Sequence, residues 1–155
     1  LSNRGQMFWL DENSPACIGP KRRPRTTLSP SLALKDGLPY MVFGTPGGDQ
    51  QDQWSLHLFL RHVHFGLNLQ EAIDAPGFST AHFPNSFYPR ETDIGHLAVE
   101  GRFPKETVDE LMKKGHKVII DDDWSLGRMT AASKDKEILK AAANPRFMQG
   151  YAIGR

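Results

Sequence analysis

Apolar and polar positions alternate in blocks that divide the chain into short elements. Ser31 to Leu34 and Pro39 to Phe43 predict two strands. Lys35-Asp36-Gly37 predicts the turn between them, because Asp-Gly between apolar runs accepts the positive φ of a tight hairpin. The second strand runs directly into Gly44-Thr45-Pro46-Gly47-Gly48. Beyond it Leu56, Phe59, Leu60 and Val63 follow i, i+3, i+4, i+7 and predict a helix that buries this face. Asp49 and Asp52 fall in its first turn, where carboxylates complement the helix dipole, and Arg61, His62 and His64 lie near the opposite end. Gly66 is placed to stop it.

A second, short helix is expected from Asn68 to Ala75, capped by Asn68 and ended before Pro76. Residues 77–103 read as strand-like. Pro104 suits the first position of a third helix, in which Val108, Leu111 and Met112 share a face and Gly115 ends the run. His116 to Ile120 predicts a strand, and Asp121 to Gly127 a polar turn. Arg128 to Ser133, Glu137 to Ala143 and Gly150 to Ile153 predict further strands. Residues 1–10 form a short apolar segment and Asp11 to Arg25 a loop. Strands and helices are partly segregated along the chain, which favours a layered α+β fold over a doubly wound parallel sheet.

Composition narrows the function classes. The chain has 155 residues, 39% of them hydrophobic and 24% charged, which suits one domain or part of one. Nineteen basic residues against 18 acidic ones leave a net charge of +1. That balance argues against nucleic acid held by counterion release. No apolar run approaches the ~20 residues of a membrane helix, and the opening LSNRGQMFWL lacks a signal-peptide pattern. A cytoplasmic setting is preferred, with periplasmic and extracellular ones left open. The single Cys17 excludes a disulfide framework within the chain and a multi-cysteine zinc site.

The candidate chemistry sits between the second strand and the long helix. Gly47 and Gly48 carry no side chain, so another molecule can approach their backbone. Their N–H groups stand at a helix start and can form an anion site or oxyanion hole; a tight turn without ligand is the alternative. No Gly-Lys-Ser/Thr follows, so this is not a phosphate-binding loop. Thr26 and Thr27, in Thr26-Thr27-Leu28-Ser29-Pro30, can hold a substrate carboxylate or carbonyl, or cap local backbone. His57, His62 and His64 do not converge on one helix face, and no metal or other cofactor is expected. Asp121-Asp122-Asp123 lacks the spaced ligands of a calcium loop. The basic cluster Lys21 to Arg25 reads as a solvated surface.

RPRTTLSPSLAL, GTPGGDQQDQW, EAIDAPGF, Lys-Lys-Gly-His-Lys-Val and a closing NPRFMQGYAIGR occur in this order. The run resembles the C-terminal part of the γ-glutamyltransferase small subunit, over essentially the whole chain. The resemblance implies an N-terminal-nucleophile hydrolase: a four-layer αββα sandwich shared between two subunits cut from one precursor. In such enzymes a threonine freed at a chain terminus attacks an amide carbonyl, with its own amino group as base, and forms an acyl-enzyme. By resemblance, Thr26 and Thr27 hold the substrate carboxylate, and the Gly47 and Gly48 amides stabilise the oxyanion.

Residues 1–8 align with a family segment that ordinarily reads Asn-Asn-Glu-Met-Asp-Asp-Phe. Arg4 and Met7 replace the acidic residues that grip a γ-glutamyl ammonium. A guanidinium prefers a carboxylate without an adjacent amine, so the expected substrate is a small carboxylate-bearing amide, as in the acylase and oxamate amidohydrolase branch. A salt bridge is the alternative for Arg4. True γ-glutamyl transfer and a catalytically silent subunit are the rival readings. The nucleophile is expected in a segment before residue 1, and the expected partners are that segment and the large subunit of the same precursor.

Overall fold

A computed structural model describes residues 3–148 and 150–154. The hairpin forms at the expected place: β1 (Ser31–Lys35) and β2 (Leu38–Gly44) pair antiparallel. Asp36 and Gly37 both take positive φ, 52° and 78°, the backbone a two-residue hairpin turn requires. β6 (Thr130–Asp135) and β7 (Ile138–Ala143) extend this into an antiparallel sheet in the order β1-β2-β6-β7.

Two helices cover one face of the sheet. α1 (Gln51–Phe59) continues through a π-helical turn at Leu60–His64, and α2 is Leu69–Asp74. Met41 of β2, Ala131 of β6 and Ala142 of β7 pack there against Leu58, Leu69, Ala72 and Ile73. Asn68 caps α2 through a reciprocal box: its side chain accepts from Glu71 N, and the Glu71 carboxylate accepts from Asn68 N, each at 2.9 Å.

The second sheet holds β3 (Phe78–Thr80), β4 (His96–Glu100) and β5 (Lys117–Asp121). β3 pairs antiparallel with β4, and β4 pairs parallel with β5. The parallel pair is joined through α3 (Lys105–Lys113), the crossover such a pair needs. One antiparallel sheet, one mixed sheet and the helices packed on them make the chain α+β.

Four expectations change. The buried face of α1 carries Gln51, Ser55 and Leu58, whereas Leu56, Leu60 and Val63 are exposed. Of the predicted stripe, Phe59 packs against the core and stacks on Phe43, while Leu56, Leu60 and Val63 point away from it. Pro104 is the cap before α3 rather than its first residue. The strand-like stretch 77–103 resolves into β3 and β4 with a loop at 81–95 between them. Gly150 to Ile153 adopts no strand: Tyr151 and Ile153 run beside the outer face of the first sheet without joining a ladder. Leu1 and Ser2 of the opening motif, and Gln149 and Arg155 of the closing one, lie outside the described residues.

That outer face of the first sheet carries no helix among the described residues. Leu32, Val42 and Leu139 project from it into two open clefts of about 590 and 930 Å³. Among the described residues no helix is long and apolar enough to cross a membrane.

Candidate active site

The end of β2 turns into α1 through a short 3-10 segment at Gly48–Gln50. Gly47 has φ 144° and Gly48 φ 58°, backbone that favours glycine. At Gly47 the side chain is excluded twice over, because an added Cβ would collide with the Trp54 ring. That ring is itself wedged between Gly47 and Gly127, with its Nε1–H donating to Phe78 O at 3.0 Å. Thr45 Oγ1 accepts from Arg128 N at 3.0 Å and ties the turn to the start of β6.

The turn spends its carbonyls and not its amides. Gly47 O accepts from Gln50 N at 3.2 Å and Gly48 O accepts from Gln51 N. The N–H groups of Gly47 and Gly48 donate to no acceptor among the described residues. Two adjacent unspent donors at a helix start attract negative charge.

Two aspartates expected to serve the helix dipole do something more specific. Asp52 accepts from the hydroxyl of Ser29. The Ser29 hydroxyl oxygen also lies 3.2 Å from Thr27 O, which places the threonine pair beside the first turn of α1. Thr27 is buried, while Thr26 is exposed and its Oγ1 accepts from Leu28 N at 3.1 Å. This is the local capping bond, and it leaves the Thr26 hydroxyl proton free to donate. Asp49 accepts from Ser86 N at 2.7 Å and from the Ser86 hydroxyl, which draws the loop 81–95 onto the Gly-Gly turn.

Arg4 opens a 3-10 turn, Arg4–Met7, and is half-buried. Met7, expected from the resemblance to replace an acidic residue, is 1% exposed and serves as core. Arg90 of the loop 81–95 donates to Gln6 O at 3.0 Å and Phe8 O at 2.8 Å and lies over the Trp9 ring. The Arg4 segment, the Gly47–Gly48 turn and the Thr26–Thr27 segment are thus linked through Arg90, Asp49 and Asp52.

The histidines are engaged locally. His57 stacks on Phe78 at 3.8 Å; burial first, and the Arg61 charge second, lower its pKa to about 4. His62 accepts at Nε2 from the Tyr40 hydroxyl at 2.9 Å and donates from Nδ1 to Leu67 O at 2.7 Å.

One group that sequence reasoning missed dominates the interior. Glu100, at the end of β4, is fully buried and accepts from Gly77 N, Leu126 N, Arg102 and, through two bonds, Arg146. Burial alone raises a carboxyl pKa. Here the bonds from Arg146, Gly77, Leu126 and Arg102 outweigh it and hold Glu100 at about 2. Arg146 also donates to Ile73 O and Ala75 O, and Arg61 to Ala72 O, Ala75 O and Pro76 O. The two guanidinium groups thereby satisfy the carbonyls that α2 leaves open at its end. Glu100 and Arg146 are 46 residues apart, and only a predicted tertiary contact could have paired them.

With this geometry in place, comparison with known proteins gives the class. The chain belongs to the family described as gamma-glutamyltranspeptidase, whose model matches residues 1–154. Its fold is the α+β fold of the N-terminal-nucleophile hydrolases in that family. It is 34% identical over 157 residues to the glutathione hydrolase-like YwrD proenzyme of Bacillus subtilis (strain 168), covering 99% of this chain and 29% of that protein. It is also 34% identical over 156 residues to the oxamate amidohydrolase proenzyme of Klebsiella pneumoniae, covering 98% of this chain and 28% of that protein. The solved structure of LmbA2991HD superposes with a TM-score of 0.92 at 53% identity, covering 100% of this chain and 28% of that one. The 155 residues therefore span less than a third of the length of these relatives.

Proposed function

We propose that this chain supplies the oxyanion-binding and acyl-binding parts of an amidohydrolase acting on a small amide with a carboxylate near the scissile bond. The observation that carries the reading is the pair of unspent amides at Gly47 and Gly48, fixed in a turn whose carbonyls are already committed. The nucleophile is an N-terminal threonine of the same precursor, outside these residues. Its Oγ attacks the amide carbonyl, and the oxygen that becomes negative is received by the two amides. The C–N bond then breaks, the amine leaves with a proton, and water cleaves the resulting ester. Removing one such donor typically raises the barrier by ~2.7–4 kcal/mol.

Arg4 takes the free carboxylate of the acyl group, with the hydroxyls of Thr26 and Thr27 beside it. The open apolar face of the first sheet receives the second sheet of the sandwich, from the remainder of the precursor. The name of the Bacillus relative favours a second reading, γ-glutamyl transfer or glutathione hydrolysis. The two differ in whether the acyl group carries an ammonium.

The test uses the processed enzyme containing this chain and compares γ-glutamyl anilide, glutaryl anilide and oxamate. Faster turnover of the two substrates without an α-ammonium is expected. γ-Glutamyl turnover outpacing both overturns the role of Arg4. A precursor that is neither cleaved before a threonine nor active on any of the three is a silent subunit.

A further inference from the structure

We infer that the loop 81–95 is a brace that sets the separation between the carboxylate-binding end and the oxyanion-binding end of the acyl pocket, and so selects substrate length. The inference rests on the function proposed above. Ser86 is 1% exposed and gives both its N–H and its hydroxyl to Asp49, the residue directly after Gly48. Four residues further on, Arg90 grips the carbonyls of Gln6 and Phe8 and covers the Trp9 ring. Four residues of chain keep the Ser86 and Arg90 backbones within about 14 Å of each other, and the bonded side chains tie each end to its anchor.

The span between them is stiffened by its own bonds. Phe87 N donates to the Asn85 side chain, Arg90 N to Phe87 O at 2.8 Å, and Asn85 N to Glu91 O at 2.8 Å. Arg90 holds φ 70°, a left-handed backbone that a non-glycine residue keeps only where its surroundings impose it. The Phe87 ring lies within ordinary contact distance, 3.7 Å, of where a Cβ on Gly48 would stand. One short, rigid segment therefore touches the Gly48 turn at one end and the segment bearing Arg4 at the other. Ser86, Asp49 and Arg90 act through their neighbours and are positioning residues.

The test uses the processed enzyme containing this chain and the anilides of oxalate, malonate, succinate and glutarate, each with its uncharged methyl ester. Wild type is expected to show one preferred acyl length. R90M releases the Arg4 segment. It is expected to flatten the length profile and to lower kcat/KM about tenfold more for each acid than for its ester, through KM. R90K keeps one charged donor and is expected to restore most of the preference. S86A loosens the Gly48 end and is expected to lower kcat for acids and esters alike, by ten- to a hundredfold. S86T, which keeps the hydroxyl, is expected to recover most of that loss.

If R90M and S86A lower the melting temperature while the length profile and the acid-to-ester ratio stay as in wild type, the brace is overturned and the proposed function stands. If wild type hydrolyses none of the anilides, the function itself fails, and the brace fails with it.

Discussion

Arg146 and Glu100 meet through two hydrogen bonds, Nε to Oε1 at 2.6 Å and Nη2 to Oε2 at 2.9 Å, with both side chains almost wholly out of water. Arg146 follows β7 of the first sheet and Glu100 ends β4 of the second, so the pair fastens one sheet to the other. The Trp124 ring lies 3.4 Å from the Arg102 guanidinium and 5.1 Å from that of Arg146, which closes the cluster on one side.

Removing one member leaves the other charged and buried. Glu100→Gln or Arg146→Met is expected to cost about 3–5 kcal/mol. Urea unfolding of the enzyme containing this chain measures it, and a loss below about 1 kcal/mol contradicts the assignment. The double variant is expected to be more stable than the sum of the single losses predicts, because it leaves neither member of the buried pair alone; Arg102, the other partner of Glu100, is partly exposed to water.

Acid should weaken the fold in two stages. His57 is held at about 4 against an ordinary 6.5, so the unfolded chain binds the extra proton first. Its contribution is complete above pH 6.5 and is lost as the pH falls towards 4. Glu100 is held at about 2 against 4.5, and its contribution is lost between those values as the pH falls further. Melting temperature followed from pH 7 to pH 3 should decline throughout. His57→Phe should remove the upper part of the decline, and an unchanged slope between pH 6.5 and 4 in that variant would count against the burial argument.

The two glycines of the turn should respond differently to alanine. Gly47→Ala drives a Cβ into Trp54 and demands a φ of 144°, a combination that costs on the order of 1–3 kcal/mol or more. Gly48→Ala meets only Phe87, at 3.7 Å, and a left-handed φ of 58°, for about 1 kcal/mol. Thermal melts should rank Gly47→Ala below Gly48→Ala. The reverse order would show that Trp54 yields.

The cap of α2 offers a control away from the site. Asn68→Ala removes the bond to Glu71 N and should cost about 1 kcal/mol without altering kcat. A change in kcat would link α2 to the chemistry by a route these contacts do not contain.

Features fixed by neighbours in the chain were legible from sequence. Asp36-Gly37, the Asn68 cap and the stop at Gly66 each depend on a few adjacent residues, and each formed as expected. Features fixed by distant neighbours were not. The spacing of Leu56, Phe59, Leu60 and Val63 shows that one helix face is apolar, but periodicity does not say what covers it. Leu56 is 55% exposed, and the core of this chain lies on the side of Leu58. The helix start drew Asp49 and Asp52 to the expected place, yet their partners, Ser86 and Ser29, lie 37 and 23 residues away. The Gly-Gly turn was visible because two residues without side chains stand between a strand and a helix start. Its dependence on Trp54 needed the folded chain.

The uncovered side of the first sheet governs how this polypeptide behaves in the laboratory. Leu32, Leu34 and Leu139 are each 60% or more exposed, on a surface wide enough to adhere to its like. Expressed alone, the chain is expected to collect in inclusion bodies or in ill-defined assemblies. If the proposed function holds, joint expression with the partner it invokes should restore a well-behaved particle.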